Sequence, residues 1–271
     1  MSTDSAVTGP PTRPATVASI TTELRELGVV EGSVLLVHSS LRRLGYVAGG
    51  AQAVVDALLA AVGGDGTVVV PAFSAELSDP ARWIAPPVPE SWWPILRNET
   101  PAFDPRVTPT RHMGAIVDCF LRYPDVRRSQ HPRDSFAARG PHARAIVDEH
   151  RLAYALGEHS PLARIYDLDG WVLLLGVDHG NNTSLHLAEY RADMAVTDAI
   201  EEGAPVMIDG RRQWVTYADR SGDDADFATL GEAFAQTGNE RGGRVGTGTA
   251  RLMRQRGIVD FGARWLETHR P

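Results

Sequence analysis

Three short, unbroken apolar runs constrain this chain more than any other feature: SVLLVHSS (33–40), GTVVVPAF (66–73) and WVLLLGV (171–177). Apolar runs without polar alternation read as strands covered on both faces, the habit of parallel sheets that carry helices on each side. Between the first two lie Val54, Val55, Leu58, Leu59 and Val62, a stripe at helical spacing, so the segment reads strand–helix–strand. An earlier helix is marked by Val17, Ile20, Leu24 and Leu27, with Gly28 as its cap. Met113, Ile116, Val117, Phe120 and Leu121 predict another, ended by Tyr123-Pro124. APVMI-DG-RRQWVTY (204–217) reads as a hairpin turning at Asp209-Gly210. Helices are expected near 225–236, over 249–256 and over 258–269. The expected fold class is α/β: a central, mostly parallel sheet with flanking helices, plus an antiparallel extension towards the C-terminus. Residues 1–15, rich in Pro, Thr and Ser, read as a disordered tail ahead of a single domain at 16–271.

All 27 basic residues among the 271 are arginines, and lysine is absent. Schiff-base and pyridoxal enzymes and P-loop NTPases need a lysine and are excluded. With 34 acidic residues the formal charge is −7, which argues against non-specific nucleic-acid binding and favours cationic partners. No apolar run approaches the ~20 residues of a membrane helix, and the N-terminus lacks the signature of a signal peptide. A cytoplasmic enzyme or binding protein, acting on neither membranes nor nucleic acid, is the expectation. The single Cys119 can form neither an internal disulfide nor a cysteine-based zinc site.

Two apolar runs end in small polar residues, LLVHSS and VVVPAFS. Ligands of open parallel sheets bind beyond the carboxyl ends of the strands, so Ser39, Ser40 and the amides after them could hold a ligand, or merely cap a turn. The third run leads into GVDHGNNTSLHLAEY (176–190), where Asn181, Asn182, Thr183 or Ser184 could start a helix. That helix would carry His186 and Glu189 three positions apart on one face. A carboxylate beside an imidazole fixes its tautomer and raises its basicity, as a general base requires. The same pair could be a buried structural contact, or with Asp178 part of a metal site, although no HExxH is present. RRSQHP (127–132) offers two guanidinium groups suited to phosphate, or a solvated pair at a helix end. Ser74 to Thr110, with many prolines and three tryptophans, is either a lid or pocket wall or a surface loop. The chain lacks GxSxG, GxGxxG and the pyrophosphate loop of GCN5-related acetyltransferases.

Taken in order, several segments resemble the aminoglycoside 3-N-acetyltransferase family. They are the stretch from LLVHSSL to VVVPAFS, FDPRVTPTRHMG, RRSQHP, GEHSPLARIY, WVLLLGV, TSLHLAEYRA and GRVGTGTARLMRQRGIVDF. The resemblance runs from about residue 20 to 268. It implies acetyl transfer from acetyl-coenzyme A to an amine without a metal, on an α/β fold distinct from the GCN5-related one, with antibiotic resistance as the family's role. His186 matches the catalytic base and Glu189 its carboxylate partner. His38, Ser39, Ser40, Leu41, Ser74, Met113, Gly114 and Ser129 match coenzyme-associated positions. Asp104, Glu158 and Asp178, in or beside these motifs, are the carboxylates expected to receive a cationic acceptor. The insertion PESWWPILRNETPAFDP is similar to a subgroup of bacterial homologues distinct from the clinical resistance enzymes. The acceptor is therefore open between an aminoglycoside and another amine, and a coenzyme-binding homologue with little activity is the rival reading.

Overall fold

A computed structural model describes residues 13–194 and 199–270. The three apolar runs form adjacent parallel strands at the centre of a seven-stranded sheet: β1 (Val34–Ser39), β2 (Thr67–Pro71) and β5 (Trp171–Leu175). Beyond β2 lie β4 (Phe136–Arg139) and β3 (Arg127–Arg128), and beyond β5 lie β9 (Gly248–Arg254) and β8 (Glu240–Val245). Each outward step is antiparallel, so β4 and β9 run against the other five strands. The antiparallel element expected towards the C-terminus is the hairpin at 204–217, which stands outside this sheet; the antiparallel edges β8–β9 and β3–β4 are not anticipated by the sequence reading. A separate hairpin, β6 (Ala199–Ile208) and β7 (Arg211–Arg220), turns at Asp209-Gly210 as expected, with φ of 50° and 73° at its two turn residues. Positive φ at both positions is the type I′ geometry that suits the twist of a tight hairpin.

Alternate side chains of β1 enter opposite cores. Leu35 and Val37 join Ile20, Leu24, Val54, Leu58 and Phe120 on one face. Val34 and Leu36 join Phe136, Leu162, Leu185, Phe227, Phe234 and Ile258 on the other. Burial on both faces explains the missing polar alternation. The first face is covered by α1 (Val17–Leu27), α2 (Gly50–Val62) and α4 (Ala115–Phe120). The second is covered by α5 (Ala143–Val147), α6 (Pro161–Asp167), α7 (Ser184–Arg191), α8 (Phe227–Ala235) and α9 (Gln255–His269). Gly28 caps α1 with φ of 110°, and Cys119 is half-buried in α4 against the first core.

Two expectations need correction. The segment 249–256 is not a helix: Gly248–Arg254 is β9, between β5 and β8. Ala250 and Leu252 enter the first core at two-residue spacing, and the interleaved arginines imitated a charged helical face. Ala15, placed in the expected tail, is instead buried and bridges Val47, and residues 1–12 of that tail lie outside the described residues. The stretch 74–110, open in sequence between a lid or pocket wall and a surface loop, is ordered and braces the β6–β7 hairpin, and its Ala75 lines a cavity. It contains α3 (Trp93–Glu99); Phe103 N donates to Pro205 O at 3.1 Å and Arg212 Nε to Thr100 O at 2.9 Å.

RRSQHP lies at the edge of the sheet, where its two arginines part company. Arg127 is exposed and Arg128 is buried. Arg128 donates to Ser135 Oγ (2.9 Å), Thr108 O (2.5 Å), Ala72 O (2.6 Å) and Ser74 Oγ (2.8 Å), and its guanidinium lies 5.0 Å from the Phe103 ring. Burial pushes its pKa down to about 10. Arg128→Ala strands several buried acceptors at once and is expected to cost about 3 kcal/mol, measured by urea unfolding. Arg127→Ala is expected to cost under about 0.5 kcal/mol.

Candidate active site

The chain leaves β5 at the same end of the sheet as it leaves β1, with Ser39 in register with Leu175. A single turn over His179–Asn181 follows, capped by Asp178, whose Oδ1 accepts from Gly180 N at 3.0 Å. Asn182 Oδ1 then accepts from Ser184 N at 3.2 Å, which satisfies an open amide in the first turn of α7. The helix carries His186 and Glu189 on one face, as their spacing requires. His186 Nδ1 and Glu189 Oε2 are 2.7 Å apart, Glu189 is buried and the imidazole is about one-fifth exposed. The His186 ring packs against Phe227 at 4.9 Å.

Glu189 is held from its other oxygen as well. Oε1 accepts from Arg270 Nη1 at 2.6 Å and from the Asp223 amide at 3.0 Å. Since Nδ1 of His186 faces the carboxylate, Nε2 is the ring nitrogen left for chemistry.

His186 stands on the wall between two cavities. One, of about 460 Å³, is lined by Arg133, Asp134, Glu189, Asp219, Arg220, Asp223 and Asp224, among others. Burial raises the Asp219 carboxyl, although it accepts from the Tyr190 hydroxyl and the Arg220 amide. The other cavity, of about 240 Å³, opens over the ends of β1 and β2, with His38, Ser39, Met113, Asn181, Asn182 and Thr183 on its walls. His38 is buried there, Nε2 lying 3.3 Å from Thr183 Oγ1. Burial, with His186 and His179 nearby, lowers its pKa to about 3. The imidazole is therefore neutral at physiological pH. Ser39 Oγ is buried without a hydrogen-bond partner among the described residues.

Comparison with known proteins bears on what such a site is for. The model of the aminoglycoside 3-N-acetyltransferase family matches residues 36–267. This chain belongs to that family. It is 45% identical over 256 residues to the SPbeta prophage-derived aminoglycoside N(3')-acetyltransferase-like protein YokD of Bacillus subtilis, covering 94% of this chain and 93% of YokD. The YokD crystal structure superposes with a TM-score of 0.92 at 44% identity, covering 95% of each chain. Aminoglycoside N(3)-acetyltransferase IX of Micromonospora chalcea is 34% identical over 269 residues, 94% of either chain. A binary structure of AAC-IIIb with CoASH gives a TM-score of 0.85 at 29% identity, covering 95% of this chain and 98% of that one.

Within this aminoglycoside 3-N-acetyltransferase fold, the residues singled out by motif fall into two groups. His38, Ser39 and Met113 line the cavity over the strand ends, and Gly114 follows immediately ahead of α4. Ser40 and Leu41 begin the turn after β1, where Ser40 N donates to Leu175 O and Leu41 packs on the first core. Ser74 and Ser129 lie apart, in the interior. Ser74 Oγ donates to Pro109 O at 2.6 Å and accepts from Arg128, while Ser129 Oγ lies 2.9 Å from both His150 Nδ1 and Phe136 N.

The three expected acceptor carboxylates line neither cavity. Asp104 pairs with the adjacent Arg106 at 2.8 Å, Glu158 with Arg191 at 2.7 Å, and Asp178 caps its own turn. A carboxylate already matched by a local donor has little reason to reach into a pocket. The carboxylates that line the cavity of about 460 Å³ are Asp134, Glu189, Asp219, Asp223 and Asp224, with Arg270 beside them; of these residues motif reading singles out Glu189 alone. A metal at His186, Glu189 and Asp178 is disfavoured for a physical reason: the Arg270 cation already occupies the Glu189 carboxylate.

Proposed function

We propose that this protein is an acetyl-coenzyme A-dependent N-acetyltransferase whose acceptor is the 3-amino group of an aminoglycoside, with His186 as general base. The observation that carries the reading is the place of His186 on the wall shared by the two cavities, its Nδ1 held by Glu189. The acidic cavity suits a polycationic amine. The cavity over the strand ends suits the coenzyme, because Ser39 Oγ is a buried polar atom awaiting a partner. His38, Ser39, Met113, Asn181 and Asn182 would line the coenzyme's reactive end, and the coenzyme supplies the acetyl thioester.

His186 takes a proton from the amine nitrogen as that nitrogen bonds to the acetyl carbon; the carbon–sulfur bond then breaks, and the imidazolium returns the proton to the departing sulfur, which leaves as the thiol. Glu189 orients the imidazole and stabilises its charged form. Transfer is direct. Cys119, raised by burial and packed on the first core, is no nucleophile at this site.

A second reading, an amine that also carries an anionic group, draws on Arg133 and Arg220 standing among the carboxylates of the acceptor cavity. Thiol release from acetyl-coenzyme A across a panel of amines tests both. Rapid release with 3-amino aminoglycosides is the expected result. Release confined to anionic amines would favour the second reading. No release with any amine, while the coenzyme still binds, would contradict both.

A further inference from the structure

The Glu189 carboxylate serves two masters, and the second has no role in the chemistry derived above. Oε2 faces His186; Oε1 takes Arg270, which follows α9 and stands 81 residues away in the chain. The guanidinium is itself fixed on several sides. Nε donates to Asp226 Oδ2 at 2.8 Å, and Nη2 donates to Asp226 Oδ1 and to Asp223 O, the latter at 2.6 Å. Asp226 precedes α8, whose first residue, Phe227, packs on the His186 ring. Gly222 closes the same loop so tightly that a Cβ there would lie 3.0 Å from His186 Nδ1.

The terminal torsion of a glutamate is broad, so one hydrogen bond to His186 does not by itself hold the carboxylate plane. A planar fork with several donors does. We propose that Arg270 is a positioning residue for the base. With the Asp223 amide it anchors Oε1, which keeps Oε2 on His186 Nδ1 and leaves Nε2 towards the cavities. The inference rests on His186 acting as general base, although the geometry it describes does not. By this arrangement the docking of α9 and the loop 220–226 set the orientation of a ring carried by α7.

The test compares Arg270→Ala, Arg270→Lys and wild type by kinetics and by the NMR resonance of the His186–Glu189 N–H proton, assigned by its loss in His186→Ala. Arg270→Ala is expected to lower kcat about 10²-fold, the usual scale for a misplaced catalytic group, with KM for acetyl-coenzyme A little changed. Its N–H resonance should move or broaden, and millimolar guanidinium should restore part of both signals. Arg270→Lys should recover little, because one ammonium cannot span Glu189, Asp226 and the Asp223 carbonyl. A folded Arg270→Ala with wild-type kcat and an unmoved resonance would overturn the proposal. So would a kcat loss that leaves the resonance unmoved and does not respond to guanidinium. Should Arg270→Ala not fold, Asp226→Asn releases the guanidinium more gently. It should give a smaller loss with the same spectral change, and an unmoved resonance there would count against the proposal equally. The resonance is read without turnover, so it decides the role of Arg270 even if no amine is acetylated.

Discussion

His186→Ala is expected to lower acetyl transfer at least ~100-fold, the scale of losing a general base, while coenzyme A binding stays nearly intact. The two halves of this expectation have separate causes. Turnover falls because the imidazole, which shares the wall between the cavities with the Asp224 carboxylate, has a nitrogen left free for the amine proton. Binding persists because the other residues over the strand ends, His38, Ser39, Met113 and Asn182 among them, are untouched. Folding is spared as well. Truncating His186 does not orphan the buried Glu189, since Arg270 and the Asp223 amide still hold it. Steady-state kinetics beside equilibrium coenzyme binding make the comparison, and a folded variant that turns over normally would remove His186 from the chemistry.

Acid is expected to destabilise this protein already above the carboxylate range. His38, His131 and His150 are all buried, and burial holds each below its ordinary pKa of 6.5, His38 at about 3. The surroundings of His131 specify the neutral ring. His131 Nδ1 accepts from the Asp134 amide at 2.9 Å, so a proton there would set donor against donor. Its Nε2 faces Leu152 O at 3.1 Å, and His150 Nε2 faces Ala155 O at 2.7 Å. Asp134 and Asp219 pull His131 the other way, but desolvation outweighs them.

The sign follows from linkage. Above pH 6.5 both folded and unfolded chains keep these rings neutral, and stability is complete. Below it the unfolded chain takes up protons that the folded chain refuses. Each ring then removes about 1.4 kcal/mol per pH unit until its folded pKa is reached. His38, held at about 3, costs about 1.4 kcal/mol in the first unit, and His131 and His150 add to that loss in the same direction, against a typical stability of about 5–15 kcal/mol. The urea midpoint should therefore be lower at pH 5.5 than at pH 7.5. Equal midpoints would show that these histidines are not held neutral by burial.

What could be read from the sequence was what local spacing encodes. The three apolar runs, the cap at Gly28, the Asp209-Gly210 turn and the placement of His186 beside Glu189 each depend on residues a few positions apart. The carboxylates of the larger of the two cavities beside His186 show the opposite case. Asp104 and Asp178 belong to motifs, yet a neighbour two residues away satisfies each of them. Motif membership says nothing about whether a carboxylate is already matched. Arg270 and Asp223 reach Glu189 across 81 and 34 residues, and such contacts leave no periodic trace. The β9 segment is ambiguous for a third reason: Arg251 and Arg254 stand at helical spacing around Leu252 and Met253, so the short run fits a charged helix as well as a strand buried on both faces.

The central claim is that this protein joins an acetyl group to an amine at the junction of two cavities. Its most direct test is to incubate the protein with acetyl-coenzyme A and an aminoglycoside bearing a 3-amino group, and to locate the acetyl group in the product by NMR. One acetyl on the 3-amino nitrogen, absent when His186→Ala replaces the wild type, is the expected result. No acetylated product from the wild type, although both compounds bind, would contradict the claim.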